Sequence, residues 1–335
     1  MKRFLLFILI LTLLVCSGFA QKKLGQTGAQ FLSVASDAWG AGMAGSMTVI
    51  EMGSGSLLFN PAGMANMDGT IDFMASQNQW IGDITHNVFT TSFSPAGEKY
   101  GVFGASFMMV DYGEIQGTMV WPNEKGYVDT EILRPGAFAV GLGYAKALSD
   151  KFSVGGQLKY VGLDYGRSVY PDENGLADTV KNHEAYANAF DFGTIFKTGW
   201  HSLAFGMFFR NFSNPVEFEV EEFQLPLTFS LGIGMDVFDL VRDKVGKQQL
   251  LCTFDALHYR SHPEQVRVGI EYKPISMLAL RTGFYTSEDE NADSFDQNDM
   301  SFGVGINMVG LGFDYAYTPK GVWNEVHRIT ARFTF

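Results

Sequence analysis

Gly40, Gly42 and Gly45 make a G-x-G-x-x-G step, the spacing with which a tight turn cradles a dinucleotide pyrophosphate. That chemistry needs the glycines to sit between a strand and the helix it opens, inside a βαβ unit. No such alternation surrounds them here, so close backbone packing is the better account. Six histidines could ligate a metal. Only His258 and His262 stand four apart, and they straddle a strand end and a turn containing Pro263, so they share no helical face. Neither a Walker loop nor an H-E-x-x-H step is present, and nothing marks a nucleophile beside a base. No catalytic residue, cofactor or metal is expected, and the chain is not read as an enzyme. Glu288, Asp289, Glu290, Asp293, Asp296 and Asp299 could offer oxygens to calcium or to the divalent ions that bridge lipopolysaccharide. Their spacing matches no EF-hand, and a solvated acidic loop is the simpler reading.

The glycine step belongs to a stretch unlike the rest. Residues 29–39 read as a short helix, and a glycine- and methionine-rich run leads to Leu57-Leu58-Phe59-Asn60-Pro61-Ala62-Gly63-Met64. Asn60 suits a helix N-cap and Pro61 the first turn, where its missing N–H costs nothing. Met43, Met47, Met52, Met64 and Met67 lie here, out of fifteen methionines. Methionine adapts to many shapes, so these residues either face an apolar ligand or fill gaps. The stretch is too apolar for a linker and too irregular for strands. It is expected to be a plug, residues 21–68, with Leu57, Leu58, Phe59 and Met64 as candidate contacts for a hydrophobic ligand.

Residues 1–20 read as a signal peptide, with Lys2 and Arg3, an apolar run over 4–15, and Gly18-Phe19-Ala20 before Gln21. Val15 before Cys16 argues against a lipoprotein signal. Cleavage removes two of the 24 basic residues and none of the 36 acidic ones, leaving a net charge of −14, which argues against nucleic acid as a partner. Cys252 then remains alone, as a filler between Leu250 and Phe254. Later in the chain no apolar run reaches the ~18 residues of a transmembrane helix, so membrane residence would require a closed barrel.

From residue 70 onward the pattern supports that. Fourteen period-two segments recur, at 70–79, 84–94, 99–111, 136–147, 151–164, 185–197, 201–210, 226–237, 248–259, 264–273, 276–286, 299–308, 310–318 and 326–335. Successive side chains in a strand point to opposite faces. Phe138, Val140, Leu142 and Tyr144 thus oppose Ala139, Gly141, Gly143 and Ala145. In the last segment Ile329, Ala331, Phe333 and Phe335 oppose Arg328, Thr330, Arg332 and Thr334. Long connections at 112–135, 165–184, 211–225 and 287–298 follow odd segments, and most tight turns follow even ones. That alternation, with both termini on the tight-turn side, is expected of an all-β, fourteen-stranded antiparallel transmembrane barrel over residues 69–335. A final strand ending on Phe333 and Phe335 resembles the assembly signal of outer-membrane barrels, which implies the barrel assembly machinery, lipid and lipopolysaccharide as partners.

Three runs carry a family resemblance: Gly28-Ala29-Gln30-Phe31-Leu32, Ala41-Gly42-Met43-Ala44-Gly45-Ser46, and Phe59-Asn60-Pro61-Ala62-Gly63-Met64-Ala65. Ahead of fourteen strands, they resemble the PorV/PorQ family within the FadL-like barrels. Where that family has an arginine, this chain has Asp37-Ala38-Trp39-Gly40. The resemblance implies a cell outer-membrane protein of type IX secretion that docks the C-terminal signal domains of exported cargo. Trp121, Tyr127 and Tyr170, in the long connections, are the candidate docking residues. The alternative it implies is FadL-type passage of long-chain fatty acids or other hydrophobic compounds.

Overall fold

The structure is a computed structural model. It describes residues 27–95, 99–171, 178–240, 248–287, 298–320 and 325–335. The signal peptide and acidic residues 288–297 lie outside these residues. The alternating segments form strands β1 (Ile71–Gln79), β2 (Thr85–Phe93), β3 (Val102–Asp111), β4 (Ile115–Val120), β5 (Tyr127–Leu133), β6 (Gly136–Ser149), β7 (Phe152–Pro171), β8 (Asp178–Lys197) and β9 (Ala204–Phe212). They continue as β10 (Val216–Phe218), β11 (Glu221–Phe223), β12 (Thr228–Asp236), β13 (Gln249–Tyr259), β14 (Gln265–Ile275), β15 (Leu278–Ser287), β16 (Asn298–Met308), β17 (Leu311–Pro319) and β18 (Glu325–Thr334). Fourteen of them form one closed antiparallel barrel, each beside its sequence neighbour in the wall, while β4–β5 and β10–β11 are separate hairpins. Closure runs from Asp72↔Thr334 to Gln79↔His327. Phe335 extends it, its N–H donating to the Ile71 carbonyl at 2.8 Å and its carbonyl accepting from Thr70 and Ile71.

Parity decides which face is wet. Residues of one parity, such as Phe73, Leu142, Phe302 and Ile329, are exposed around the outside. Those of the other, such as Ser76, Thr253, Ser301 and Thr330, are buried inside. A water-soluble barrel would invert this; an apolar outer belt over a polar interior suits lipid. No helix among the described residues is long and apolar enough to cross a membrane.

The interior is occupied by residues 28–67. Asp37 caps helix α1 (Ala38–Gly42), which lies against β15–β18. One 3-10 turn, Gly53–Leu58, lies against β1–β3, and another, Pro61–Met64, against β6–β8. This segment enters at the rim bearing the long connections, where Gly28 N–H donates to the Gln224 carbonyl at 3.0 Å. It joins β1 at the opposite rim, next to Phe335. The described chain therefore starts at the rim opposite the one expected. The expected helix over 29–39 is also interrupted. Ala29 is left-handed (φ 52°), a 3-10 turn covers Gln30–Ser33, and Val34 is extended. Two connections read as loops are strand instead. Residues 112–135 fold into the β4–β5 hairpin, and 165–184 are largely the outer ends of β7 and β8, paired as far as Pro171↔Asp178.

Glycines on the inner face set the clearance. A methyl group built on Gly155 would stand 2.5 Å from the backbone of Pro61 and Ala62, which cannot move aside. On neighbouring Gly156, pointing the other way, it would meet nothing nearer than 3.4 Å. Gly155→Ala is therefore expected to lower the barrel's unfolding free energy by about 1–3 kcal/mol, as overpacking does. Gly156→Ala should leave it unchanged. Equal urea midpoints for the two variants would show that the segment does not sit against β7.

Candidate functional site: the lumen on either side of the inner segment

Asp37 starts α1 by accepting from the Gly40 N–H through Oδ2 at 2.8 Å, while the Ala38 N–H donates to Thr330 Oγ1 of β18, also at 2.8 Å. These bonds aim Trp39 at the wall, where its ring faces three cations. Arg332 is 4.5 Å from the ring centroid, Arg281 4.7 Å and Lys273 5.5 Å. Cations over an indole face are attracted by its quadrupole. The same cations are joined by carboxylates. Arg281 Nε reaches Glu271 at 2.6 Å and its Nη1 reaches Asp314 at 2.5 Å. Arg332 Nε reaches the other Asp314 oxygen at 2.8 Å, and Lys273 reaches Glu271 at 2.9 Å. Sequence reading passed over this cluster. Its signal was available: Glu271, Lys273, Arg281, Asp314 and Arg332 all stand at inward parity, charges of both signs on neighbouring strands.

The glycine step is a place of close approach. A Cβ on Gly42 would lie 3.1 Å from Gly303 Cα of β16, and Gly45 (φ 74°) turns against the Arg267 guanidinium. Asn60 caps the Pro61–Met64 turn, its Oδ1 accepting from Ala62 N–H at 3.1 Å. Its Nδ2 donates to the Thr48 carbonyl at 2.7 Å and to the Thr194 carbonyl of β8 at 3.1 Å. One side chain thus ties two parts of the segment to the wall. Ala62 and Gly63 are buried within that turn. Leu57 and Met64 pack over Gly104 and Gly143, and Leu58 and Phe59 belong to the main apolar cluster. These four line neither of the cavities described next.

One cavity, of about 390 Å³, opens at the rim with the long connections. Ala41 and Ala44 contribute to its lining from the inner segment; Trp80, Tyr259, Tyr285, Arg267, Lys320 and Arg328 do so from the wall. Arg267 lies between Tyr259 and Tyr285, 5.8 and 5.7 Å from their centroids, and Arg328 is 5.3 Å from Trp80. A second cavity, of about 330 Å³, opens at the tight-turn rim between Val49, Ile50 and Glu51 and the wall residues Leu251, Glu271 and Lys273. Both have the size of small-molecule sites. Of the residues proposed for docking, Trp121 and Tyr127 are exposed at the tip of the β4–β5 hairpin, away from both cavities. Tyr170 lies in β7, its backbone opposite Thr179. Phe333 and Phe335 meet edge to face, 4.0 Å between centroids, beside the closing seam.

Arg281 holds two carboxylates whose side chains are almost fully buried. Arg281→Met leaves Glu271 with Lys273 alone and Asp314 with Arg332 alone, and is expected to cost up to about 3–5 kcal/mol. Arg281→Lys, keeping one charge but not the fork, should cost less. A melting temperature for the methionine variant equal to wild type would mean that Lys273 and Arg332 suffice to hold Glu271 and Asp314.

No family model matches this sequence, and no curated protein does. Solved structures do. The toluene transporter TbuX of Ralstonia pickettii is similar over 89% of this chain and 98% of its own, with a TM-score of 0.57 at 12% identity. The toluene transporter TodX of Pseudomonas putida matches with a TM-score of 0.60 at 11% identity, over 89% of this chain and 98% of that one. A FadL homologue from Pseudomonas aeruginosa matches with a TM-score of 0.53 at 12% identity, over 90% and 98%. At such identities the likeness is one of fold: this chain has the architecture of the FadL-type barrels.

Proposed function

We propose that this chain is an outer-membrane barrel, exported by its 1–20 signal peptide, that lets small hydrophobic or amphipathic compounds enter the cell, with residues 21–68 as its plug. The observation that carries this reading is the aromatic-walled cavity resting on the inner segment at the long-connection rim, inside a wall whose outer belt is apolar. Long connections face outward in barrels of this kind, so the cavity opens to the medium. Trp80, Tyr259 and Tyr285 offer ring faces to an apolar body, and Arg267 and Arg328 offer charge to an acidic group. Neighbours of the same fold are toluene transporters and a FadL homologue, which supports passage of hydrophobic compounds over delivery of secreted proteins.

A second reading, docking of type IX cargo, rests on the β4–β5 hairpin. Val120 is 84% exposed there and Trp121 and Tyr127 are more than 40% exposed, an arrangement in which aromatic anchors could meet a protein partner. The two readings separate by variant. Trp80→Ala with Tyr285→Ala is expected to slow uptake of toluene and of a fluorescent long-chain fatty acid by cells making the barrel. Trp121→Ala with Tyr127→Ala should leave uptake unchanged. Unchanged uptake in the cavity variant, with loss of surface-protein delivery in the hairpin variant, would decide for docking.

A further inference from the structure

Where β7 and β8 run on past the long-connection rim, three side chains far apart in the sequence converge. Ser168 Oγ of β7 donates to His183 Nε2 of β8, and His183 Nδ1 lies 2.7 Å from Glu219 Oε1. Glu219 comes from the two-residue turn between β10 and β11, where Phe218 pairs with Glu221. Its other carboxylate oxygen is held by Lys181, the residue opposite Ser168 in the β7–β8 ladder. Hydroxyl, imidazole and carboxylate thus stand in a row, each bonded to the next, the arrangement that turns serine into a nucleophile. Fifteen residues separate Ser168 from His183, and 36 separate His183 from Glu219, so no spacing marks them in the sequence.

The bonds fix the roles. A carboxylate accepts and does not donate, so the proton between His183 and Glu219 belongs to Nδ1, and the Nε2 lone pair faces the serine. That is the tautomer in which imidazole takes a proton from a hydroxyl. Tying the hairpin to β8 does not require this row. The Lys181–Glu219 pair does that alone, with no serine behind the ring. Glu219 also holds left-handed backbone, φ 61°, which is uncommon for a residue other than glycine, and such strained positions cluster at active sites. His183 shares the inward parity of the buried Ala185 and Ala189, so the row faces the mouth of the lumen. Ser168 and His183 are half-buried and Glu219 is exposed, which leaves them open to water and to a substrate. Beside them Phe218 sets its ring 6.3 Å from the imidazole and 5.2 Å from the Tyr165 ring.

From this we infer that Ser168 and His183 hydrolyse carboxylic esters at the outer mouth of the barrel, with Glu219 positioning the imidazole. The activity is separate from the transport reading and does not rest on it. Ser168 Oγ bonds to the ester carbonyl carbon as its proton passes to His183 Nε2. The bond from that carbon to the alcohol oxygen breaks, and the alcohol leaves with the proton. Water then adds to the acyl-serine and gives a proton to His183; the acid departs and Ser168 regains its proton. One ester and one water become one acid and one alcohol, with no further reactant. The Lys181 ammonium, cross-strand from Ser168, offers positive charge to the carbonyl oxygen as it becomes negative. Phe218 and Tyr165 offer an apolar face to a short acyl chain, so small esters are the substrate class.

The test uses the purified barrel in detergent micelles with p-nitrophenyl butyrate, each variant first shown to be folded by its heat-modifiable mobility. Wild type is expected to release p-nitrophenol faster than micelles alone, and Ser168→Ala to abolish the gain. His183→Gln should lower kcat by about 10²–10⁴-fold, the usual share of a general base. Glu219→Gln should lower kcat at least about tenfold with KM unchanged, a split that loss of a merely structural tie would not give. A fluorophosphonate, which reacts with an activated serine, should label wild type on the peptide carrying Ser168 and leave His183→Gln unlabelled. Wild-type hydrolysis no faster than that of Ser168→Ala overturns the proposal. An unchanged kcat in folded His183→Gln or Glu219→Gln overturns the roles given to these side chains, and the row is then only a clasp between β8 and the hairpin.

Discussion

Closure of β1 against β18 is the constraint on which the rest depends. Fourteen strands joined into a ring leave no unpaired edge strand, so the wall's backbone groups pair along ladders within the chain apart from local irregularities. Lipid supplies no hydrogen bonds, and an open edge there would cost several kcal/mol per unsatisfied group. Closure also fixes the lumen's cross-section, which inward side chains alone do not fill. Residues 28–67 fill it, and the inner-face glycines are the seats that let backbone meet backbone. Gly155 under Pro61 and Gly303 against Gly42 are two such seats on opposite sides of the ring.

Filling a polar lumen with chain creates a second demand. The segment brings its own unpaired peptide groups, and many of the buried wall side chains answer them. Asp255 serves Thr48, Ser301 serves Ala44, Thr330 serves Ala38 and Arg328 serves the Ala35 carbonyl. The Arg281 cluster differs because it is wall bonded to wall, with the segment contributing a ring. Trp39 covers cations already neutralised by Glu271 and Asp314, so it positions α1 without adding charge to the lumen.

The wall was legible in the sequence because period two is a strong signal when one face meets lipid and the other a polar lumen. Each of the fourteen expected segments became a wall strand, with ends shifted by a few residues except where β7 and β8 run on past the rim. Asn60-Pro61 was legible for a local reason, since cap and turn lie within three residues. The helix over 29–39 was misread because alanine, glutamine and leucine favour helix locally, whereas Ser36 bonds to His86 and the Ala38 N–H to Thr330, wall groups far away in sequence. The cavities were not legible at all. Trp80, Tyr259 and Tyr285 sit at the ends of three different strands or turns, and only the ring's curvature brings them together. The β4–β5 hairpin was missed because Gly117 and the irregularity between Gln116 and Thr118 break its alternation.

The inner segment enters at one rim and becomes β1 at the other, and this orders the protein's assembly. Had β18 met β1 first, some forty residues would afterwards have to be drawn lengthwise through a finished ring, past glycine seats with no clearance for a methyl group. Folded chains avoid threading of that kind. The strands must instead curl around the segment, which acts as a mandrel, and the seam seals last. A chain synthesised from its N-terminus makes the mandrel first and the sealing strand last, so the order of translation is also the order in which this shape can be built.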